Sequence, residues 1–194
     1  MKKLTILIIL VILFSVSVIC LSAEEAKYDF RKTNWGMSKE QVKATEKGKI
    51  VLETEDEVIF MVPDFDANYQ CSYSFLENTL YQSLYSFVGE HTNKNDYIND
   101  YEKLKLNLIN KYGKPKNDKI EWKNSLFYSD KQEWGTAISI GHLIYWASWE
   151  TSTTEITLAL MGDNYKINLA IAYYSKELKP RAIQMEKEGV LKNL

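Results

Sequence analysis

Large side chains alternate strictly with polar ones between positions 69 and 75. Tyr69, Cys71, Tyr73 and Phe75 share one face of an extended chain, and glutamine and serine occupy the other face. A period of two residues predicts a half-buried strand with one face in the core. Similar short runs precede and follow this strand with no helical pattern between them, so the strands are expected to pair antiparallel.

Eight other segments have the β-branched and aromatic composition that is typical of strands. They lie at residues 50–53, 58–62, 80–88, 120–123, 137–140, 142–149, 154–161 and 165–174. Gly162-Asp163-Asn164 separates the last two segments and predicts a tight hairpin, because such residues accept the positive φ angles of short turns. The polar stretch 124–134 is expected to be a long loop.

The first helix is predicted by the residues at its start. Ser38 and Gln41 have the spacing of a capping box, and Met37 and Val42 have that of a hydrophobic staple. The helix should therefore cover residues 39–47. Gly48 then follows in the place where a left-handed residue ends many helices.

The second helix is expected at residues 97–112, where aromatic and aliphatic side chains recur at helical spacing. Asn95 or Asp96 can cap its start, and Gly113 and Pro115 follow its end. The predicted fold class is therefore α+β, with antiparallel sheet covered by two helices in the order α-β4-α-β4. Residues 35–90 and 95–175 are then possible subunits of a degenerate tandem repeat, although few residues match between them.

The N-terminus has the pattern of an export signal over residues 1–23. Lys2 and Lys3 precede an apolar run, and a small residue, Ala23, offers a cleavage site. A retained membrane anchor or lipidation of Cys20 is the alternative, although the bulky Ile19 occupies a place where lipoprotein signals carry a small residue. The remaining chain is interpreted as one α+β domain at 24–178, followed by a tail or frayed helix at 179–194.

Charge and cysteine content restrict the partners of the exported chain. Removal of the leader takes away Lys2 and Lys3 and no acid, so the formal charge goes from −2 to −4. This balance disfavours nucleic acid as a partner, because phosphate binding requires a basic surface. Without the leader only Cys71 remains, so the fold is expected to rely on its core and not on an internal disulfide.

Two short motifs resemble known exported proteins. Trp35-Gly36-Met37-Ser38 at the first helix start and Tyr112-Gly113-Lys114-Pro115 at the second helix stop resemble those of a group of uncharacterised exported bacterial proteins. That group has no assigned activity, so the resemblance implies no site residues. Gly36-Met37-Ser38 with Val42, followed by strands, is also similar to the helix-then-sheet units of small outer-membrane assembly lipoproteins and of the β-lactamase inhibitor protein. This second likeness implies an architecture and no function.

The residues that usually carry chemistry form no recognisable grouping. His91 and His142 lack the spacing of a hydrolase triad, and Cys71 is expected to be a small buried hydrophobe. Asp64 and Asp66 have the pattern of a turn and not that of a calcium loop. The sequence therefore predicts no catalytic residue, no metal ligand and no cofactor.

Aromatic residues are the remaining candidates for a binding site. They cluster in the second half of the chain as Trp122, Trp134, Tyr145, Trp146 and Trp149. An exposed aromatic patch would mark a protein or sugar surface. The leading hypothesis is an exported, non-enzymatic protein that binds a protein or glycan of the bacterial cell envelope. The alternatives are a hydrolase of envelope polymers that uses either histidine with a carboxylate, and a carbohydrate-binding module that uses the sheet aromatics.

Overall fold

The computed structural model describes residues 28–64 and 67–192, and it has four α-helices and eight strands within them. The helices are α1 (Lys39–Thr45), α2 (Asp96–Tyr112), α3 (Trp134–Ser139) and α4 (Lys179–Lys192). The strands are β1 (Lys49–Glu53), β2 (Glu57–Asp64), β3 (Ala67–Leu76), β4 (Thr79–Phe87), β5 (Asn117–Trp122), β6 (Leu143–Glu150), β7 (Thr154–Asp163) and β8 (Lys166–Ser175). The predicted leader at 1–23 and the lipidation site at Cys20 lie outside the described residues.

All eight strands form one sheet in the order β1-β2-β3-β4-β8-β7-β6-β5, and every adjacent pair is antiparallel. The fold is therefore α+β with an antiparallel sheet, as the alternating runs predicted. The first four strands follow one another as a meander, and the last four do the same. The two meanders meet where β4 pairs with β8.

One face of the sheet carries the hydrophobic core. Along β6, β7 and β8 every second residue is buried, which is the pattern of a sheet with one covered face. The alternation at residues 69–75 has the same origin, since Tyr69, Cys71, Tyr73 and Phe75 are all buried. These residues belong to one continuous cluster that also includes Val42 of α1 and Tyr101 of α2.

Helix α1 begins as its sequence predicts and ends earlier. The Ser38 side chain accepts from the backbone N–H of Gln41, and the Gln41 side chain accepts from the N–H of Ser38. The helix stops at Thr45, and Gly48 does not adopt the left-handed conformation, so that prediction was wrong. Gly48 is required for a different reason: a Cβ at this position would lie 2.7 Å from the carbonyl oxygen of Met61 in β2.

Helix α2 packs on the second meander through its buried residues Tyr97, Tyr101, Leu104 and Leu108. It ends at Tyr112, and Gly113 follows it as the sequence predicted, with a φ of 80°. Its start differs from the prediction, because neither Asn95 nor Asp96 provides a side-chain cap for α2.

Helix α3 lies where the sequence predicted a strand at 137–140, so that prediction was wrong. The loop predicted at 124–134 is present as far as Asp130, and one turn of 3-10 helix at Lys131–Glu133 then leads into α3. Asn95 explains the difference, because its side chain binds the start of α3. The Asn95 Oδ1 accepts from the N–H of Gly135 at 2.6 Å, and Nδ2 donates to the carbonyls of Lys131 and Gln132. Gly135 is needed here, since a Cβ would lie 2.3 Å from the carbonyl carbon of Lys94.

The segment before α1 is part of the core and not a simple extended lead-in. Phe30 and Thr33 form an isolated β-bridge around Arg31, which has a φ of 51°. Phe30 is buried against aromatic rings from β3, β4 and β8. Trp35 donates from Nε1 to the hydroxyl of Thr154 at 2.9 Å, which ties this segment to the second meander.

Candidate functional site

The five aromatic residues singled out from the sequence do not lie on one surface. Tyr145 and Trp149 of β6 point into the core and are each 3% exposed. Burial raises the pKa of Tyr145 to about 12, and Trp149 donates from Nε1 to the carbonyl of Gly113 at 2.8 Å. Both side chains stabilise the fold, so a partner cannot contact them directly.

Trp122 and Trp134 come together in an aromatic cluster at the β5 edge. Their ring centroids are 5.6 Å apart, and Tyr128 lies 5.3 Å from Trp122 in an edge-to-face arrangement. The connection between β5 and β6 brings these rings together and leaves Leu126 and Tyr128 at 68% and 61% exposure. Neither Leu126 nor Tyr128 was predicted from the sequence, because a polar loop has no periodic pattern of apolar residues.

Trp146 is the one predicted aromatic on the face of the sheet opposite the core, which we call the open face. Its Nε1 donates to the carboxylate of Glu121 in β5 at 2.9 Å, and this bond holds the indole across the edge strand. Trp146 is partly exposed, while its neighbours Tyr145 and Ala147 are buried. The alternation along β6 therefore separates one surface aromatic from two core aromatics.

The open face has mostly small side chains at its centre. Strand register places two rows of side chains across the five strands β3, β4, β8, β7 and β6. The first row is Gln70, Ser86, Ala170, Ala159 and Trp146, and the second is Ser72, Leu84, Ala172, Thr157 and Ser148. Trp146 and Leu84 are the two large side chains among these ten. Alanine alternates with buried residues in β7 and β8, and this signal was present in the sequence.

A groove of about 670 Å³ lies at one end of the open face, between the sheet and helix α4. Tyr81 and Tyr174 come from β4 and β8, and Ile183 and Met185 come from the helix. Ionic contacts hold the start of the helix: Lys179 pairs with Glu155 and lies over the Tyr174 ring, and Arg181 pairs with Glu77. Every residue of α4 from Pro180 to Glu188 except Ala182 has at least a third of its surface exposed.

His91 lies in a second cleft, of about 530 Å³, between the β4–α2 connection and the β7–β8 hairpin. Its Nε2 is 2.6 Å from Oδ2 of Asp100, and its ring stacks on Phe87 with centroids 5.4 Å apart. The same cleft is lined by Lys94, whose Nζ donates to the buried hydroxyl of Ser139 at 3.0 Å. A histidine oriented by a carboxylate can act as a general base.

The other candidates for chemistry are a buried cysteine and a partly buried histidine. Cys71 is completely buried on the core face. His142 lies near Phe127, with ring centroids 6.4 Å apart, and its Nδ1 is buried without a hydrogen-bond partner among the residues that the structure describes. Among residues 28–64 and 67–192, no group of three or more histidine, cysteine or acidic side chains is arranged to hold a metal ion.

The strongest shifts in pKa belong to groups of the core. Burial raises the pKa of Tyr69 to about 12, and it raises the pKa values of Tyr73 and Tyr173 further. Glu46 accepts hydrogen bonds from Tyr73 and Arg31, so a carboxylate is held inside the protein. These shifts follow from burial in the core, and none of these groups lies in the His91 cleft or on the open face.

Within residues 28–64 and 67–192, none of the helices combines the length and the apolar character needed to cross a bilayer. Comparison of the chain with protein-family models, with curated proteins and with solved structures found no match.

Proposed function

We propose that this chain is an exported, non-enzymatic protein that binds a partner protein of the bacterial cell envelope through the open face of its sheet. One observation carries the proposal: the side chains on this face of the central strands are mostly alanine, serine and threonine, while the opposite face carries the core. Small side chains let another backbone approach closely. Trp146 and Leu84 then provide the large contacts that dominate many protein interfaces.

The export pattern at residues 1–23 supports the location that we propose. A periplasmic or surface protein meets envelope proteins and glycans before it meets any other partner. The net negative charge and the absence of a basic cluster in the sequence disfavour nucleic acid. An uncleaved leader or a lipidated Cys20 would add attachment to the membrane without changing the binding face.

Photocrosslinking in the exporting cells tests the proposal. A photoreactive phenylalanine analogue replaces Ala159 or Ala172 on the open face, or Lys103 or Leu106 on the exposed side of α2 as matched controls. We expect one protein, identified by mass spectrometry, to be crosslinked from both open-face positions and from neither control position. The additional change Ala172→Arg should abolish the adduct formed at Ala159, because a long cation would occupy the centre of the face.

The outcomes separate the candidates for the partner. An adduct that resists protease and is released by a cell-wall hydrolase would replace the protein partner by a glycan, as the carbohydrate-binding alternative requires. Equal crosslinking from the open face and from α2 would contradict the proposal, and so would no adduct from either open-face position. Circular dichroism of each variant verifies that the fold is retained.

A hydrolase of envelope polymers is the second candidate, and the His91–Asp100 contact within a cleft favours it. His91 would activate water or a substrate hydroxyl, and Asp100 would orient the imidazole. Purified protein should then release fragments from cell-wall polymers, and His91→Ala and Asp100→Asn should each abolish the release. Absence of any turnover by the unmodified protein removes this candidate.

We also infer that the two halves of the chain are a degenerate tandem repeat. The strand order supports this inference, since β1-β2-β3-β4 and β5-β6-β7-β8 occupy equivalent positions on either side of the β4–β8 pair. A helix precedes each meander, α1 in the first half and α2 in the second. The insertion of α3 between β5 and β6 has no counterpart in the first half.

A further inference from the structure

We propose that the groove between α4 and the end of the open face binds a basic, amphipathic peptide segment. The proposal rests on the open face being a protein-binding surface, and it adds the chemical class of the segment that is bound. The groove has apolar walls on two sides and carboxylates along its rim. These two properties together fit side chains that alternate between apolar and cationic.

The apolar walls come from separate parts of the fold. The sheet contributes Leu76, Tyr81 and Tyr174, and α4 contributes Ile183 and Met185. Ile183 and Met185 remain 41% and 37% exposed, although they are among the few apolar side chains of this helix. Apolar side chains on both sides of an open groove are available to bury those of a partner.

The rim of the groove has an excess of negative charge. Among the described residues, Glu55, Asp56, Glu77 and Glu186 line it, and Lys179 is the one cation that does so. Lys39 lies beside the rim, where its Nζ donates to the backbone carbonyl of Glu55. Glu77 is paired with Arg181 and Lys179 with Glu155. The carboxylates of Glu55, Asp56 and Glu186 form no ion pair with any residue that the structure describes, so they are available to a cationic partner.

Tyr81 lies within the groove, and the acidic residues of the rim affect its pKa. Burial raises the pKa of Tyr81, and the neighbouring Tyr174, Glu186 and Asp56 raise it further. These acids belong to different elements, with Asp56 in the β1–β2 turn and Glu186 in α4. The negative charge therefore surrounds the apolar floor and is not confined to one loop.

A cationic amphipathic peptide matches both features better than a simple cation or an anionic polymer. A metal ion would use the carboxylates and leave the apolar walls exposed, and a nucleic acid or a teichoic-acid-like polymer would be repelled. Complementary charge at the rim increases the rate and specificity of association, while apolar burial provides affinity. Lysine or arginine residues spaced between leucine-like residues satisfy both requirements.

Fluorescence anisotropy with defined peptides tests the proposal on the protein purified as the host exports it. The probe is a short labelled peptide that alternates lysine and leucine, and the matched peptides replace lysine by serine or by glutamate. We expect the lysine peptide to bind with the highest affinity. The serine peptide should bind about tenfold more weakly, and the glutamate peptide should show no binding. Added salt should weaken the binding of the lysine peptide alone.

Charge and apolar variants locate the site. Asp56→Lys with Glu186→Lys should reduce the affinity about tenfold, and Ile183→Ser about fivefold. The matched controls are Glu133→Lys and Leu106→Ser, which change a partly exposed acid and an exposed apolar side chain away from the groove. Both controls should leave the affinity within a factor of about two of the unmodified protein.

Three results would overturn the proposal. They are no binding of the lysine peptide, equal losses in the groove and control variants, and full displacement of the peptide by millimolar calcium while Ile183→Ser has no effect. Any of these would leave the open-face photocrosslinks unaffected. A negative result for peptide binding in the groove can therefore be distinguished from a negative result for the proposed function.

Discussion

The Arg31 guanidinium donates from Nε to the carboxylate of Glu46 at 2.8 Å, and the Glu46 side chain is only 3% exposed. The same carboxylate accepts from the Tyr73 hydroxyl, and a second Arg31 nitrogen donates to the Tyr85 hydroxyl at 2.7 Å. Burial lowers the pKa of Arg31, but its bonds to Glu46 and Tyr85 outweigh this effect and raise it. The pair joins the segment before α1 to the sheet.

Removing the cation of this pair should destabilise the protein strongly. Arg31→Met leaves a buried carboxylate without its counter-ion, and we expect the free energy of unfolding to fall by about 3 kcal/mol. Urea titration followed by tryptophan fluorescence measures the change. The double variant Arg31→Met with Glu46→Met is the control, and it should lose less than the sum of the single changes. A strictly additive result would contradict a coupled pair.

The hydroxyl of Tyr101 should be dispensable. It is buried without a hydrogen-bond partner among the described residues, and such a group costs free energy in the folded state. Tyr101→Phe should therefore raise the free energy of unfolding by about 1 kcal/mol and keep the ring contact with Tyr145. Tyr73→Phe is the matched control and should lower stability by about 1 kcal/mol, because its hydroxyl binds the buried Glu46. If both variants lost the same free energy of unfolding, the expected difference between the Tyr101 and Tyr73 hydroxyls would be wrong.

Alkaline pH should unfold the protein through its buried tyrosines. The pKa of Tyr69 and that of Tyr145 are each raised from 10.0 to about 12 in the folded state, chiefly by burial. The unfolded chain therefore loses these protons first, so the stabilisation is complete below about pH 10 and is lost as pH rises toward 12. Each such tyrosine contributes a slope of about −1.4 kcal/mol per pH unit in that window.

Urea midpoints measured across this range, with tyrosinate absorbance as a second readout, give the slope. Tyr145→Phe should reduce the slope of the free energy of unfolding against pH by the contribution of one tyrosine, since phenylalanine has no proton to lose. An unchanged slope in this variant would show that Tyr145 ionises equally in both states.

Gly135→Ala should disturb the contact between α2 and α3. The new Cβ would lie 2.3 Å from the Lys94 carbonyl carbon, so backbone must move, and we expect a loss of about 2 kcal/mol or more. Gly113→Ala is the comparison, because Gly113 has a φ of 80° and no atom within 4 Å of the added Cβ. Its loss should be about 1 kcal/mol, from backbone strain alone. Thermal unfolding of both variants measures the difference, and a smaller loss for Gly135→Ala would contradict the close approach.

The mature protein should begin at Glu24. Intact-mass measurement of the exported protein should give the mass of residues 24–194, because the small side chain of Ala23 suits signal cleavage. Cys20→Ser should leave that mass and the export unchanged. A mature chain that starts at Cys20 with an attached lipid would contradict cleavage at Ala23 and would place the protein at a membrane surface.

The elements that the sequence predicted correctly depend on short-range physics. Ser38 and Gln41 satisfy each other's backbone groups within one turn, so the start of α1 is encoded in four residues. The hairpin between β7 and β8 is likewise local, although its turn is Asn164-Tyr165, both at positive φ, while Gly162 and Asp163 belong to β7. The end of α1 was harder, since Gly48 lies against β2 and its role becomes visible only when that strand is in place.

Helix α3 shows why a local pattern can mislead. Ile138 and Ile140 are β-branched, as many strand residues are, and the predicted strand at 137–140 followed from that composition. In the structure, Asn95 binds the start of this segment from forty residues away in the chain. A cap supplied by a distant residue leaves no mark in the helical segment itself.

The sequence by itself determined the antiparallel pairing, the first helix start, the α2 stop and the two faces of each strand, because these follow from side-chain period and from backbone preferences over a few residues. In β6, where both faces carry aromatics, the tertiary structure alone decided which face meets the core and which aromatics stay at the surface. Tyr145, Trp146 and Trp149 are similar in the sequence, yet only Trp146 lies on the open face. Burial depends on which element lies against which, and the sequence of one strand does not contain its neighbours.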